Sequence, residues 1–333
     1  MSIAILGFAM TAFCLFGMPV AYAMGLAALV TIIYDGLPAA VVFQRMAAGM
    51  NLFALLAIPF FIFAGELMLY GGIAERIVRF AMACVGRIRG GLGLVNVLAS
   101  MFFGGISGSA VADASALGSI LIPMMKKRGY DTDYAVNVTI SASLTGILIP
   151  PSHNMIIYAL AAGGGVSVTA LFLAGIVPGI LMGLCLMVAA YLVALKRGYP
   201  RENFPGWWGL VVSLVSAMPG LFLGVIIMGG VLSGVFTVTE SAGIGAIYAL
   251  GVTALVYRSL SYEDFKRATL NAVRTTAMVM LVIGTGNSVG WLLALHQVPA
   301  ATMQLLGGIS DNPVVIFLII NIILLVLGTA MDM

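Results

Sequence analysis

The sequence predicts an all-α polytopic membrane protein, and three observations carry that prediction. Hydrophobic residues make up 62% of the 333-residue chain and charged residues only 8%, against about 25% charged in a soluble domain. Long apolar stretches recur at 3–33, 52–69, 138–162, 171–195, 210–228, 243–257, 277–295 and 314–327, several of them matching the roughly 20 residues of a spanning helix. Their apolar character runs all round, whereas barrel strands alternate polar and apolar. Only helices and closed barrels satisfy the backbone in lipid, so helices are expected.

The basic residues lie in short clusters between apolar stretches: Arg76, Arg79, Arg87 and Arg89; Lys126, Lys127 and Arg128; Lys196, Arg197 and Arg201; and Arg258, Lys266, Arg267 and Arg274. They suit loops flanking a membrane on the cytoplasmic side, and no run is long enough to suggest nucleic-acid binding. Cys14, Cys84 and Cys185 are far apart in apolar surroundings, without CxxC or metal spacing, and are expected to be small core residues. Residues up to Ala21-Tyr22-Ala23 imitate a signal peptide. However, no Lys or Arg precedes them and the apolar character continues beyond, so a retained helix or tight helical pair, interrupted at Gly17-Met18-Pro19, is expected.

The most polar stretch, KRGYPRENFPGWWG, begins at Lys196 and divides the chain into two halves, 1–196 and 210–333, around a linker at 197–209. The halves repeat a pattern. Each opens with an apolar helix pair hinged at glycine, Gly17 in one and Gly234 in the other. An arginine-bearing segment follows, then a Gly/Ser-rich interruption at Gly104–Ser109 or Gly284–Ser288, then a further broken helix at Gly146…Pro150-Pro151-Ser152 or Gly328–Asp332. From Gly105 to Gly146 is 41 residues, and from Gly286 to Gly328 is 42. A hairpin near 92–125 and a broken helix near 138–162 are expected in the first half. Matching interruptions in two halves point to a binding site at the membrane midplane.

The chemistry follows from the residue types. Unwound backbone at membrane depth is tolerated where it lines a cavity, and its carbonyls, with Ser, Thr and Asn oxygens, suit a hard cation such as sodium. Half-helix N-termini suit an anionic substrate. One sodium site is expected from Ser107, Gly108, Ser109, Gly146, Pro150 and Ser152, and a second from Gly284, Gly286, Asn287, Ser288, Gly328 and Thr329. Pro151, His153, Asn154, Asp113 and Asp332 are expected to line a carboxylate between them. The competing explanation for small residues is close helix packing, preferred for Gly104, Gly118 and Gly183. Asp113 is equally a candidate helix cap. Glu66 and Glu240 are expected to join helices by hydrogen bonds, and His153 and His296 to have structural polar roles. Sodium is the only metal expected, without any other cofactor.

GGISGSAVADASALGSILIPMMKKRGYD, followed by TGILIPPSHNMIIYA, resembles the large membrane subunit of tripartite ATP-independent periplasmic (TRAP) transporters, the DctM-like permeases. AIPFFIFAGELM, LFLAGIVPGILMG and GGVLSGVFTVTESAGIGAIYAL fit the same family. His153-Asn154 stands where many members carry an apolar residue and proline, and the proline-rich continuation after GTAMDM is absent. The resemblance implies an inverted-repeat, elevator-type fold with two re-entrant helical hairpins in the bacterial cytoplasmic membrane. It also implies sodium-driven import of an organic acid, a C4-dicarboxylate or another carboxylate. The implied partners are a small four-helix membrane subunit, here a separate chain because no such segment precedes Met1, and a periplasmic substrate-binding protein.

The sequence has two alternative readings. Gly105-Ile106-Ser107-Gly108 matches the GxSG of rhomboid intramembrane proteases, but neither His153 nor His296 has the setting of a serine's partner. A sodium–carboxylate symporter without a binding protein is the other. Because a repeat should be a complete unit, a further C-terminal segment of at least about 50 residues is expected beyond Met333.

Overall fold

The computed structural model describes residues 1–162, 165–309 and 312–330. Its secondary structure there is helical throughout. Among the described residues, five helices are long and apolar enough to cross a membrane, or six when one bent pair is counted as a span. The chain divides into two compact units, Leu52–Met278 and Met1–Asn51 with Val279–Met333. This division by packing differs from the sequence repeat; residues related by a repeat need not share a packing unit.

In the larger unit, the three-ten turn Phe53–Leu56 leads into α4 (Ala57–Tyr70). The next helix, α5 (Ile73–Val85), is amphipathic. Ile73, Ala74, Ile77, Val78 and Ala81 are buried at helical spacing, and Arg79 points away. The hairpin follows: α6 (Gly91–Ser107) and α7 (Ala110–Lys127). The first of these is buried on nearly every side, so it runs through the middle of the unit. Two short helices, α8 (Thr132–Ser143) and α9 (Thr145–Leu148), precede the interruption at 149–152, and α10 (His153–Ala161) resumes beyond it. The two sides are bent by 52°. Prolines 150 and 151 explain the stop, since neither carries an amide hydrogen to continue a helix. The longer helices α11 (Val168–Arg197) and α12 (Gly206–Leu232) flank a loop at 198–205 within the expected linker. Next come α13 (Val238–Gly251) and a π-helical turn, Val252–Val256. The largest core joins Phe61, Phe103, Ile106, Phe172, Leu223 and Ile227.

In the smaller unit, α1 (Ser2–Leu15) and α2 (Val20–Tyr34) are split at 16–19 as the Gly-Met-Pro signal predicts. α3 (Ala40–Met50) follows them. Helix α14 (Tyr262–Leu295) enters this unit at Val279, and α15 (Val298–Ile309) and α16 (Pro313–Ala330) complete it. Leu6, Ala27, Ala28, Ile32, Val42 and Leu292 form its core. Asp35 accepts hydrogen bonds from Ser2 Oγ at 2.6 Å and lies 2.9 Å from His296 Nε2, giving His296 the structural role expected.

Several expectations need correction. No interruption occurs at Gly284–Ser288: α14 is continuous over 34 residues, about 51 Å at 1.5 Å per residue. The helix ends instead at His296-Gln297, where Gln297 takes a φ of 56°. Likewise α16 runs unbroken through Gly328, and Asp332 lies outside the described residues, as does the side chain of Thr329. Glu240 does not join helices; its carboxylate accepts from Thr237 N and Oγ1 at 2.8 Å and closes a capping box on α13. Cys14 and Cys185 are exposed on their apolar helices rather than buried. Glu66 does join helices, accepting from Asn271 Nδ2 at 3.3 Å.

Candidate functional site

Helix α6 stops at Ser107 because Gly108 adopts a φ of +63°, a left-handed turn that glycine enters without strain. Ser109 is extended and caps α7, its Oγ accepting from Ala112 N at 3.3 Å. Ser107 Oγ accepts from Ser109 N at 3.3 Å and donates to Asp113 Oδ1. The tip of the hairpin is thus a closed polar turn. Asp113 makes no cap; its carboxylate turns back to Ser107.

Asp113 is fully buried, and its Oδ2 has no hydrogen-bond partner among the described residues. That oxygen lies between two glycines. A β-carbon on Gly104 would stand 2.7 Å from Oδ2, and one on Gly146 would overlap it. Gly104 and Gly146 also meet backbone to backbone, so the packing expected of Gly104 is present and its partner is a proposed ligand residue.

The tip faces the interruption of the bent pair. A β-carbon on Gly108 would lie 2.6 Å from Pro151 O and 3.1 Å from Ser152 Cα. The peptide between Pro150 and Pro151 is cis. Ser152 is buried with its Oγ unpartnered among the described residues, and His153 Nδ1 is unpartnered in the same sense. His153 and Asn154 open α10, both half-buried. The N-termini of α7 and α10 therefore converge with the end of α9, whose last carbonyls have no intrahelical partner. Ser107, Gly108, Ser109, Asp113, Gly146, Pro150, Pro151, Ser152, His153 and Asn154 all belong to this junction.

The second set is not assembled in this way. Asn287 Nδ2 donates to Arg45 O at 2.6 Å, and buried Ser288 Oγ donates to Val42 O at 3.0 Å. A β-carbon on Gly284 would lie 3.1 Å from Met50 Sδ, and one on Gly286 3.9 Å from Met24 Cε. These residues pack helices together, and a continuous helix frees no carbonyls between 284 and 288.

Two features escaped the sequence reading. Asn96 and Ser100 lie two turns and one turn before Gly104 on α6, respectively, and are buried. Asn96 Nδ2 donates to Thr139 Oγ1 at 2.6 Å, while Asn96 Oδ1 and Ser100 Oγ have no partner among the described residues. Their four-residue spacing was the available signal. The second feature is the base of the hairpin. Arg197 bridges Asp131 at 2.8 Å and Asp133 at 2.9 Å, and Glu202 N donates to Gly86 O at 3.1 Å.

Comparison with known proteins decides the family. Residues 8–333 match the model of the tripartite ATP-independent periplasmic transporter, DctM component. The chain belongs to that family. Among its relatives is the sialic acid TRAP transporter large permease SiaM of Vibrio cholerae, 40% identical over 95% of this chain and 74% of that protein. The 2,3-diketo-L-gulonate permease YiaN of Escherichia coli is 36% identical over 95% and 74%. The C4-dicarboxylate permease DctM of Vibrio cholerae is 35% identical over 100% and 78%. This TRAP large permease is a multi-pass protein of the bacterial inner membrane and a transporter rather than an enzyme. Consistently, the Ser107 hydroxyl proton is engaged with Asp113, not offered to a histidine base. TRAP large permeases work with a small membrane subunit and a periplasmic binding protein.

Proposed function

We propose that this permease imports an organic acid, driven by sodium and delivered by a periplasmic binding protein, together with a small four-helix subunit. The observation that carries the reading is the junction of the hairpin tip with the interrupted helix. A buried carboxylate oxygen of Asp113, the hydroxyl of Ser152 and the free carbonyls of the interruption all belong to it, and oxygen is the donor type that suits a hard cation. Ser107, Gly108, Ser109, Gly146, Pro150 and Ser152 would hold the sodium ion. The N-termini of α7 and α10, with Pro151, His153 and Asn154 near them, would receive the acid group through partial positive charge and free amides.

The relatives' names, which include sialic acid, 2,3-diketo-L-gulonate and C4-dicarboxylate, share an acid group, and this supports a carboxylate here. The inverted repeat and elevator-type movement implied by the resemblance belong to the same proposal. The cation requirement rests on the first junction alone, because Gly284–Ser288 is unbroken helix.

The test is uptake by the permease reconstituted with its small subunit and binding protein in proteoliposomes. Labelled acids should enter with an inward sodium gradient, without ATP, and not with potassium alone. Undiminished uptake without sodium would overturn the proposal.

A further inference from the structure

The loops at one end of the larger unit are tied together. Gly90 N donates to Pro200 O at 3.1 Å, Arg128 pairs with Glu202 at 3.3 Å, and Arg197 pairs with Asp131 and Asp133. This end therefore gathers Arg87, Arg89, Lys126, Lys127, Arg128 and Arg201, and such an excess of cations marks the cytoplasmic face, whose leaflet is anionic.

At that end a groove of about 220 Å³ runs between α5 and the start of α12, lined by Arg79, Met82, Ala83, Asn203, Pro205 and Ser213. Trp207 and Trp208, 76% and 79% exposed, stand beside it on the first turn of the apolar α12, as aromatic residues do at head-group level. A second cation is joined to it through Phe204. The Arg87 guanidinium lies 5.3 Å from the ring centre of Phe204, which itself sits between Asn203 and Pro205 and meets Trp207 edge-on at 5.8 Å. Among the described residues no carboxylate is in ion-pair range of Arg87. Arg79 has only Glu75, one turn away at 3.5 Å with both side chains largely in the open, a pairing too weak to hold the guanidinium from a phosphate.

We propose that this groove binds the head group of an anionic phospholipid. Arg79 and Arg87 take the phosphate, a geometry that guanidinium groups satisfy with two parallel hydrogen bonds. The Asn203 amide serves the glycerol and ester oxygens. Met82, Ala83 and Pro205 wall the first methylenes of an acyl chain, and the tryptophans fix the depth of the glycerol level. A free phosphate ion would leave those apolar walls unused, so a lipid is the better occupant. The inference is independent of the transport reading.

The test uses the full chain, delipidated in detergent, in a Trp291→Phe background so that Trp207 and Trp208 alone report. Brominated phosphatidylglycerol and brominated phosphatidylcholine are titrated and tryptophan quenching is followed. Phosphatidylglycerol should quench half-maximally at a concentration roughly tenfold lower, the order expected of one to two cations near a lipid surface. Arg79→Gln with Arg87→Gln should abolish the preference, and the Lys pair at the same positions should retain it. If the double Gln variant does not fold, Arg79→Gln alone should reduce the preference. Equal quenching by the two lipids, or a preference unchanged in the Gln variants, overturns the proposal. Displacement of the brominated lipid by inorganic phosphate at equal concentration overturns the lipid assignment as well.

Discussion

Gly104 of α6 and Gly146 of α9 touch backbone to backbone, and the Asp113 carboxylate fills the corner between them. Any side chain at either glycine must displace a neighbouring backbone or a buried carboxylate. Gly104→Ala and Gly146→Ala should each destabilise the permease by about 1–3 kcal/mol, the usual cost of overpacking, and depress uptake. Gly118→Ala is the control: its β-carbon would meet Thr139 Cγ2 at an ordinary 3.4 Å, and removing a mid-helix glycine is worth up to about 1 kcal/mol. Thermal unfolding in detergent should order the three accordingly; a neutral Gly146→Ala would show that this corner is looser than it stands here.

Ser107 and Ser109 do different work at one turn. Ser107→Ala removes the donor to Asp113, leaving a buried carboxylate without it, and should cost roughly 1–3 kcal/mol. Ser109→Ala removes a cap and should cost about 1 kcal/mol, whereas Ser109→Gly should cost only a few tenths. If these hydroxyls also bind the coupling ion, Ser107→Ala and Ser109→Gly should both raise the sodium concentration for half-maximal uptake. Ser109→Gly is the cleaner test, because stability changes little; an unmoved sodium curve would leave Ser109 as a cap alone.

Much of the first junction was legible because glycine, serine and proline act locally. Gly108 turns the chain, Ser109 caps, and Pro150-Pro151 ends a helix, each from its own covalent chemistry. The paired spacing of 41 and 42 residues carried less than it promised. Gly284-Thr285-Gly286-Asn287-Ser288 has the same composition as a turn, yet its side chains find partners on α3 and the helix continues. Tertiary packing decides that, and composition does not encode it. Glu240 misled for a related reason: a buried-looking acid in an apolar run was a capping-box residue, and Thr237 three positions earlier was the missed signal.

The second set of polar residues is therefore expected to affect stability rather than coupling. Ser288 is buried and donates to Val42 O at 3.0 Å. Ser288→Ala should cost about 1 kcal/mol through the lost bond, with the sodium dependence of uptake unchanged. Asn287, exposed but bonded to Arg45 O at 2.6 Å, should behave likewise on change to Ala. A shifted sodium curve in either variant would return these residues to the ion path and show that α14 unwinds during transport.

The base of the hairpin should make stability depend on pH in two separate windows. Asp131 accepts from Tyr199 OH at 2.7 Å and from Arg197 at 2.8 Å, and these bonds hold its carboxyl below the ordinary carboxylate range. Its contribution is present above the unfolded value near 4 and is lost as pH falls through the lower folded value. Tyr130 runs the other way. Burial beneath Tyr199, whose ring centre is 4.4 Å away, pushes its hydroxyl up to about 12. The folded state therefore holds that proton more tightly, and its contribution is complete below the unfolded value near 10 and is lost as pH rises through about 12. Hydrogen exchange of the amides at 86–92 and 128–132 should be flat between about pH 5 and 9, after correction for intrinsic rates, with protection falling beyond both ends. Asp131→Asn should shrink the acid limb, Asp133 being held low by the same arginine, and leave the alkaline one; Tyr130→Phe should shrink the alkaline limb, burial raising Tyr134 and Tyr199 as well, and leave the acid one. An acid limb of full size in Asp131→Asn would mean that another carboxylate, with Asp133 the nearest candidate at the same arginine, controls the clasp.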